Sequence, residues 1–205
     1  MPSGKEPEEI DVSKFYLASA DLLPCTSPLA EAITLAPRLE SSNWTVSCSA
    51  LTAVRCMALH HPDVLDDVLE MVVPHLQRHV RSLRSSVCKT ALICIADLFK
   101  IYGDVMFTLS ESDSPSLLLS LLNKAALGKR FVIDEAMRTL SCMIQHVSCD
   151  LLLRPLLVCN SAANHKVRAV VAKVTADLVH IALRDKLPGS QVSHSFRPSR
   201  RSYSF

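Results

Sequence analysis

Few residues in this chain have the type and spacing that catalysis or metal binding requires. His75 and His79 lie four residues apart in one predicted helix, a spacing that can hold a zinc ion. The sequence places no third ligand beside them, so structural or solvent-facing histidines are favoured. Nucleophile-elbow, zinc-protease and phosphate-loop motifs are absent. We therefore expect a protein that is not an enzyme, with no catalytic residues, no cofactor, no metal and no small-molecule substrate.

The eight cysteines are the other reactive side chains. An even number is compatible with disulfides, but there is no CxxC pair and no dense spacing of the kind found in disulfide scaffolds. Cys56, Cys94 and Cys142 adjoin predicted core positions, which favours reduced, buried thiols in an intracellular protein. We expect neither a secretory leader nor a membrane span, because Met1–Asp11 is acidic and no apolar run reaches the roughly 20 residues that a span needs.

A helical pattern of apolar residues recurs four times and must position any functional side chain. In its clearest copy, Val87, Ala91, Ile95 and Leu98 form one buried stripe. The first valines of the four copies, at positions 46, 87, 132 and 167, are separated by 41, 45 and 35 residues. A period of this size with two helices per unit is typical of HEAT and armadillo repeats. The alternative is a bundle of unrelated amphipathic helices, which near-constant spacing disfavours.

Composition supports packed helices. The chain is 49% hydrophobic but only 5% aromatic, and its 4 glycines nearly exclude Gly-rich phosphate loops. We predict an all-α HEAT/armadillo-type α-solenoid of about four hairpins over residues 25–186. Residues 1–24 are expected to be partly disordered with a short helix over Val12–Leu23, and residues 187–205 to form a disordered, basic, Ser-rich tail. The last helix lacks a polar cap, so the tail or a partner covers it, or the chain is a shortened form of a longer protein.

Several residues mark expected helix ends. Ser27 before Pro28 predicts one N-cap, and Ser85 or Ser86 predicts another. Gly103 fits a C-cap, and Pro74 is expected to kink a single helix over Val64–Val80.

The turns inside the hairpins align along one edge of a solenoid and bring distant residues together. Such an edge, with one aromatic anchor and several cations, suits an acidic protein surface. Alternatively, the turns are merely polar and Trp44 is a buried helix-start residue. The net charge of +2 makes nucleic acid an unlikely partner. The edge would carry Trp44, Arg81, Arg84, Lys129, Arg130, His165, Lys166 and Arg168.

These turns resemble those of TOG domains. The stretch Asn43–Leu51 resembles their first repeat, which typically reads Asp-Trp-x-x-Arg-x-x-Ala-Leu. The segment that begins Leu83-Arg-Ser-Ser-Val is similar to the second repeat of the CLASP and crescerin groups, the latter being the TOG array regulators of axonemal microtubules. Lys129–Leu140 and Asn164–Val170 resemble the third and fourth repeats.

The resemblance implies a non-catalytic module that binds tubulin or microtubules through the turns and regulates microtubule dynamics. It also implies a cytoplasmic, cytoskeleton-associated location, in the cilium or at the centrosome, and no membrane. Ser47 replaces the family's first-repeat Arg, and the family usually has more hairpins than are evident here. The alternative is a HEAT-repeat scaffold for a different protein. Carried over by position, the tubulin-binding residues would be Trp44, Arg84, Val87, Lys129, Arg130 and Lys166.

Overall fold

Ten α-helices follow one another in the computed structural model, which describes residues 11–111 and 115–185, and this part of the chain contains no strand. Two 3-10 helices, Val12–Phe15 and Ser19–Asp21, come first. Of the segment 1–24, which was expected to be partly disordered, residues 1–10 lie outside the described residues, as does the expected tail over residues 187–205. The helices are α1 (Pro28–Glu40), α2 (Trp44–His60), α3 (Pro62–Asp66), α4 (Leu69–Val80), α5 (Ser85–Tyr102), α6 (Asp104–Ser110), α7 (Leu117–Leu127), α8 (Arg130–His146), α9 (Cys149–Cys159) and α10 (His165–Asp185).

Eight of these helices pair into four hairpins: α1 with α2, α4 with α5, α7 with α8, and α9 with α10. The second helices stack in order, because α2 packs on α5, α5 on α8 and α8 on α10. The first helices α1, α4 and α7 form the other layer, while α3 and α6 are short connectors. This arrangement confirms the predicted all-α solenoid of about four hairpins.

The recurring apolar stripe forms the core between the hairpins. Val87, Ala91, Ile95 and Leu98 are at most 4% exposed, as are the corresponding residues of α8 and α10. The alanine at the second stripe position is fully buried in α2, α5 and α8, where its small side chain lets neighbouring helices approach closely. Val46 alone is only partly buried; it belongs to the first hairpin, which packs against another hairpin on one side only.

Some helix ends differ from the sequence prediction. The helix expected over Val64–Val80 is interrupted at Val68, whose φ of −120° and ψ of 2° leave the helical range, and it continues through Pro74. Ser85 and Ser86 lie inside α5 and Arg84 holds the N-cap position, so the predicted serine cap is wrong. Ser27 is at the N-cap of α1 as predicted, but its side chain makes no capping hydrogen bond.

Gly103 ends α5 as predicted, and its backbone explains the choice of residue. Its φ is +45°, a conformation that side chains disfavour, and its N–H donates to the carbonyl oxygen of Phe99. A Cβ atom at this position would lie 2.5 Å from the carbonyl oxygen of His146. Both the turn and the close approach of α8 therefore require glycine.

The N-terminal segment, residues 11–23, packs onto the solenoid, which the sequence did not indicate. Its two 3-10 helices replace the single helix expected over Val12–Leu23, and Phe15 and Leu22 are buried. The carbonyl oxygen of Leu22 lies 2.8 Å from His60 Nε2, and the ring of Phe15 reaches the opposite end of α2. The segment therefore runs along α2 in the same direction as the helix, from its first residue to its last.

A buried ion pair holds this segment in place. Asp97 of α5 accepts hydrogen bonds from Arg55 Nε at 2.8 Å, Lys100 Nζ at 2.9 Å and Ser19 Oγ at 2.7 Å. Arg55 also donates from Nη2 to the carbonyl oxygen of Leu17 at 2.9 Å. Arg55 and Asp97 side chains are 1% and 2% exposed, so α2, α5 and the N-terminal segment share one desolvated polar cluster.

Candidate protein-binding edge

The second helices of the hairpins run in the same direction, so their first residues lie at one edge of the stack. Arg55 of α2 pairs with Asp97 of α5, and Thr90 near the start of α5 bonds Cys48 near the start of α2. Likewise, Thr139 of α8 donates to the carbonyl oxygen of Leu92 in α5. We call the starts of α2, α5, α8 and α10 the turn edge, with the predicted residues Trp44, Arg84, Lys129, Arg130 and Lys166.

Side-chain contacts join the first three turns directly. The guanidinium carbon of Arg84 lies 5.0 Å from the centroid of the Trp44 ring, which links the first and second turns. Lys124, at the end of α7, donates to the carbonyl oxygen of Ser82 at 3.3 Å and links the second and third. The fourth turn precedes α10, which packs on α7 and α8.

The first turn fixes Trp44 in position. Asn43 caps α2, since its Oδ1 accepts from the Thr45 N–H at 3.0 Å. Ser47 donates from Oγ to the carbonyl oxygen of Ser41 at 3.0 Å, so the residue that departs from the family pattern holds the turn closed. Trp44 is partly buried and packs edge to face against Phe15, with 6.1 Å between centroids. The sequence left open whether Trp44 is an exposed anchor or a buried helix-start residue, and in the structure it is half-buried.

Arg84 and Val87 of the second turn have different surroundings. Arg84 is exposed and its charge lies against Trp44, an arrangement worth about 0.5–1 kcal/mol at an exposed site. Val87 is 4% exposed and lies in the core, so its side chain supports α5 rather than the surface.

The cations of the third and fourth turns point to solvent. Lys129 and Lys166 are exposed, and no ion pair of either is present among residues 11–111 and 115–185. Arg130 meets Asp134 at 3.4 Å, but both side chains are exposed and such a pair adds little stability. Arg168 instead donates to the carbonyl oxygens of Ala162 and Ala163, which uses its charge to order its own turn.

Three apolar or aromatic residues at this edge were not predicted. Leu83 is 100% exposed beside Arg84, and Phe131 is 43% exposed beside Arg130. Both fall outside the apolar stripes, which is the sequence signal that could have identified them. Phe15 supports Trp44 from the N-terminal segment, a contact between distant residues that no local pattern indicates. The turn edge therefore offers apolar contacts as well as cations, which suits a partly acidic, partly apolar protein surface.

The buried histidine and cysteine side chains are part of the packed interior. His79 is 8% exposed and its Nε2 lies 2.8 Å from the carbonyl oxygen of Leu39; burial lowers its pKa. Burial likewise raises the pKa of the Cys48 and Cys88 thiols, and that of Cys142 to about 11. No cluster of three potential metal ligands occurs within the described ranges. In the same residues, no helix is both long and apolar enough to cross a membrane.

The relatives found by comparison with known proteins include two with the same name, and no protein-family model matches the chain. TOG array regulator of axonemal microtubules protein 1 of Mus musculus is 29% identical over 167 residues, which cover 78% of this chain. The protein of that name in Homo sapiens is 28% identical over 152 residues, covering 72%. The matched stretch spans only 9% and 8% of these relatives. The chain is therefore related in sequence to the TOG array regulators of axonemal microtubules, one of the groups that its turns resemble.

Proposed function

We propose that this chain is a non-catalytic module that binds tubulin or microtubules through the turn edge and thereby regulates microtubule dynamics. The observation that carries the proposal is the first two turns, where Arg84 lies on the face of Trp44 and Leu83 projects fully into solvent. The relatives' names add that their proteins regulate axonemal microtubules. We extend this to the chain as a cytoskeletal location, in the cilium or at the centrosome.

In this mechanism the solenoid serves as a rigid frame. Trp44 provides the aromatic contact, held by Phe15 and Arg84. Lys129, Arg130 and Lys166 add positive charge at successive turns and attract a negatively charged partner surface. Because these charges are exposed, the attraction falls as salt is added. Val87 contributes indirectly: it is buried in the core and fixes the start of α5, which Arg84 precedes.

The test is co-sedimentation with microtubules and size-exclusion chromatography with free tubulin dimers. Trp44→Ala should weaken binding about thirty-fold or more if Trp44 is a central anchor worth about 2 kcal/mol. Trp44→Ala combined with Lys129→Glu should abolish binding. Arg154→Glu is the matched control, because it makes the same charge change on exposed α9.

Circular dichroism must show that all variants keep their helical content. Wild-type protein that binds neither tubulin nor microtubules would refute the proposal. Binding that the double variant retains would instead indicate a HEAT scaffold that uses another surface.

A further inference from the structure

The turn edge carries more positive than negative charge. Lys129 and Lys166 are exposed, and the charge of Arg84 lies over an aromatic ring. Arg130 meets Asp134, one turn into α8, at 3.4 Å. The stretches around the four helix starts contain seven Lys or Arg residues and no Asp or Glu: residues 41–47, 81–89, 127–133 and 160–168. A strip of exposed cations of this kind favours a partner rich in carboxylates.

The N-terminal segment brings the chain to this edge. The carbonyl oxygen of Leu22 contacts His60 at the end of α2, whereas Phe15 packs on Trp44 at the start of α2. Followed towards its N-terminus, the segment therefore runs along α2 to the turn edge. Residues 1–10 precede Asp11, which lies only four residues before Phe15.

These preceding residues are acidic and long enough to reach the neighbouring turns. Residues 6–11 read Glu-Pro-Glu-Glu-Ile-Asp, with four carboxylates and no cation, and Lys5 comes directly before them. Glu6 precedes Phe15 by nine residues, which can span at most about 30 Å. Packed helices lie about 8–10 Å apart, so the third turn is about 20 Å from the first. The carboxylates can therefore reach the cations of the second and third turns.

We propose that the acidic residues 6–9 fold back over the turn edge and compete there with the negatively charged partner of this module. The identity of that partner rests on the proposed function, whereas the contact within the chain does not require tubulin. A second copy could offer Asp63, Asp67 and Glu70 from its α3 and α4, but residues 6–9 are tethered beside the edge, which gives them a local concentration on the order of millimolar. Exposed ion pairs are individually weak, so the contact lowers the affinity for the partner without abolishing binding.

Amide NMR spectra of the full chain test the contact in the absence of any partner. Glu6→Gln, Glu8→Gln and Glu9→Gln together should move the amide signals of the second and third turns, including those of Arg84 and Lys129. In high salt, where exposed ion pairs are screened, wild type and this glutamine variant should give the same signals in those turns.

Two further variants control for charge and for the fold. Asp63→Asn, Asp67→Asn and Glu70→Gln together remove the same charge from exposed residues that follow the end of α2, and they should leave the signals of the turn edge in place. Deletion of residues 2–10 should reproduce the effect of the glutamine variant. It keeps Asp11, whose side chain accepts from the Ser13 N–H and caps the first 3-10 helix.

Tubulin binding tests the competition. The glutamine variant should bind tubulin about five-fold more tightly than wild type, because three weak ion pairs no longer compete for the turn edge. The charge control should bind like wild type. If neither protein binds tubulin while the signals of the turn edge still move, the proposed function fails and the contact within the chain stands.

Three results would overturn the proposal. Signals of the turn edge that stay in place in the glutamine variant would exclude the contact, whatever the result with tubulin. Changes that grow with protein concentration would identify a second copy as the occupant of the edge. Moved signals with an unchanged tubulin affinity would mean that the segment touches the edge without competing there.

Discussion

Removing the carboxylate of Asp97 should destabilise this protein more than any surface substitution. In Asp97→Ala the Arg55 guanidinium keeps its charge but loses its partner in a site where it is 1% exposed. Ser19 and Lys100 lose their acceptor at the same time, and the N-terminal segment keeps its apolar contacts, the bond from Arg55 to the Leu17 carbonyl and the contact of His60 with the Leu22 carbonyl.

The expected loss in free energy of unfolding is about 3–5 kcal/mol, the usual cost of leaving one member of a buried pair without its partner. This is a large share of the roughly 5–15 kcal/mol that a domain of ordinary stability possesses. Replacing both residues, as in Arg55→Met with Asp97→Leu, should cost less than Asp97→Ala alone, because no uncompensated charge remains buried.

The measurement is urea unfolding followed by circular dichroism, for wild type, Asp97→Ala and the double variant Arg55→Met with Asp97→Leu. Asp177→Ala is the matched control, since it breaks the exposed pair with Lys173 and should cost no more than about 1 kcal/mol. Asp97→Ala within that same range would refute the buried-pair reasoning, as would a double variant less stable than Asp97→Ala.

Acid provides a second measure of the same pair. Burial alone would raise the pKa of Asp97, but hydrogen bonds from Arg55, Lys100 and Ser19 hold it below its ordinary value of 3.8. A lowered folded-state pKa gives stability that is present above the unfolded value and is lost as pH falls through the folded one. Wild type should therefore lose this contribution only in strong acid, whereas Asp97→Ala should lack it at every pH.

Three further predictions concern other parts of the solenoid. Gly103→Ala should cost more than about 1 kcal/mol and lower the Tm, because of the φ of +45° and the approach of the His146 carbonyl; an unchanged melting curve would contradict this. Phe15→Ala should shift the fluorescence of Trp44, the single tryptophan, to the red by exposing its ring, whereas Leu17→Ala, which keeps the carbonyl that Arg55 uses, should not. Burial lowers the pKa of His79, so stability should be complete above its ordinary value of 6.5 and fall as pH drops below it; His79→Gln should flatten that fall in thermal melts, and an equally steep profile would contradict the assignment.

The hairpins could be predicted because their signal is local and repeated. The stripe of Val87, Ala91, Ile95 and Leu98 was correctly assigned to the core. The residues of the turn edge followed from the same register. Their contacts with tubulin remain predictions.

The polar cluster could not be predicted in this way, because Arg55 and Asp97 are 42 residues apart. Each lies beside an apolar stripe, where a charge normally reaches solvent, and only the stacked helices reveal the partner. The packing of Phe15 on Trp44 could not be predicted for the same reason, because it too joins residues that are distant in sequence. The end of α3 near Val68 depends on one backbone conformation for which the sequence gives no clear signal, whereas Pro74, the obvious breaker, is tolerated.

The path of the N-terminal segment has a consequence for how the chain folds during synthesis. The Ser19 hydroxyl donates a hydrogen bond to Asp97, which the ribosome adds 78 residues later. At ordinary rates of translation that interval is about 4 to 16 s. During this time α2 has no α5 to pack against, and Arg55 has no carboxylate. The first hairpin should therefore remain open on the ribosome until α5 emerges, and the first two hairpins should close together as one cooperative unit.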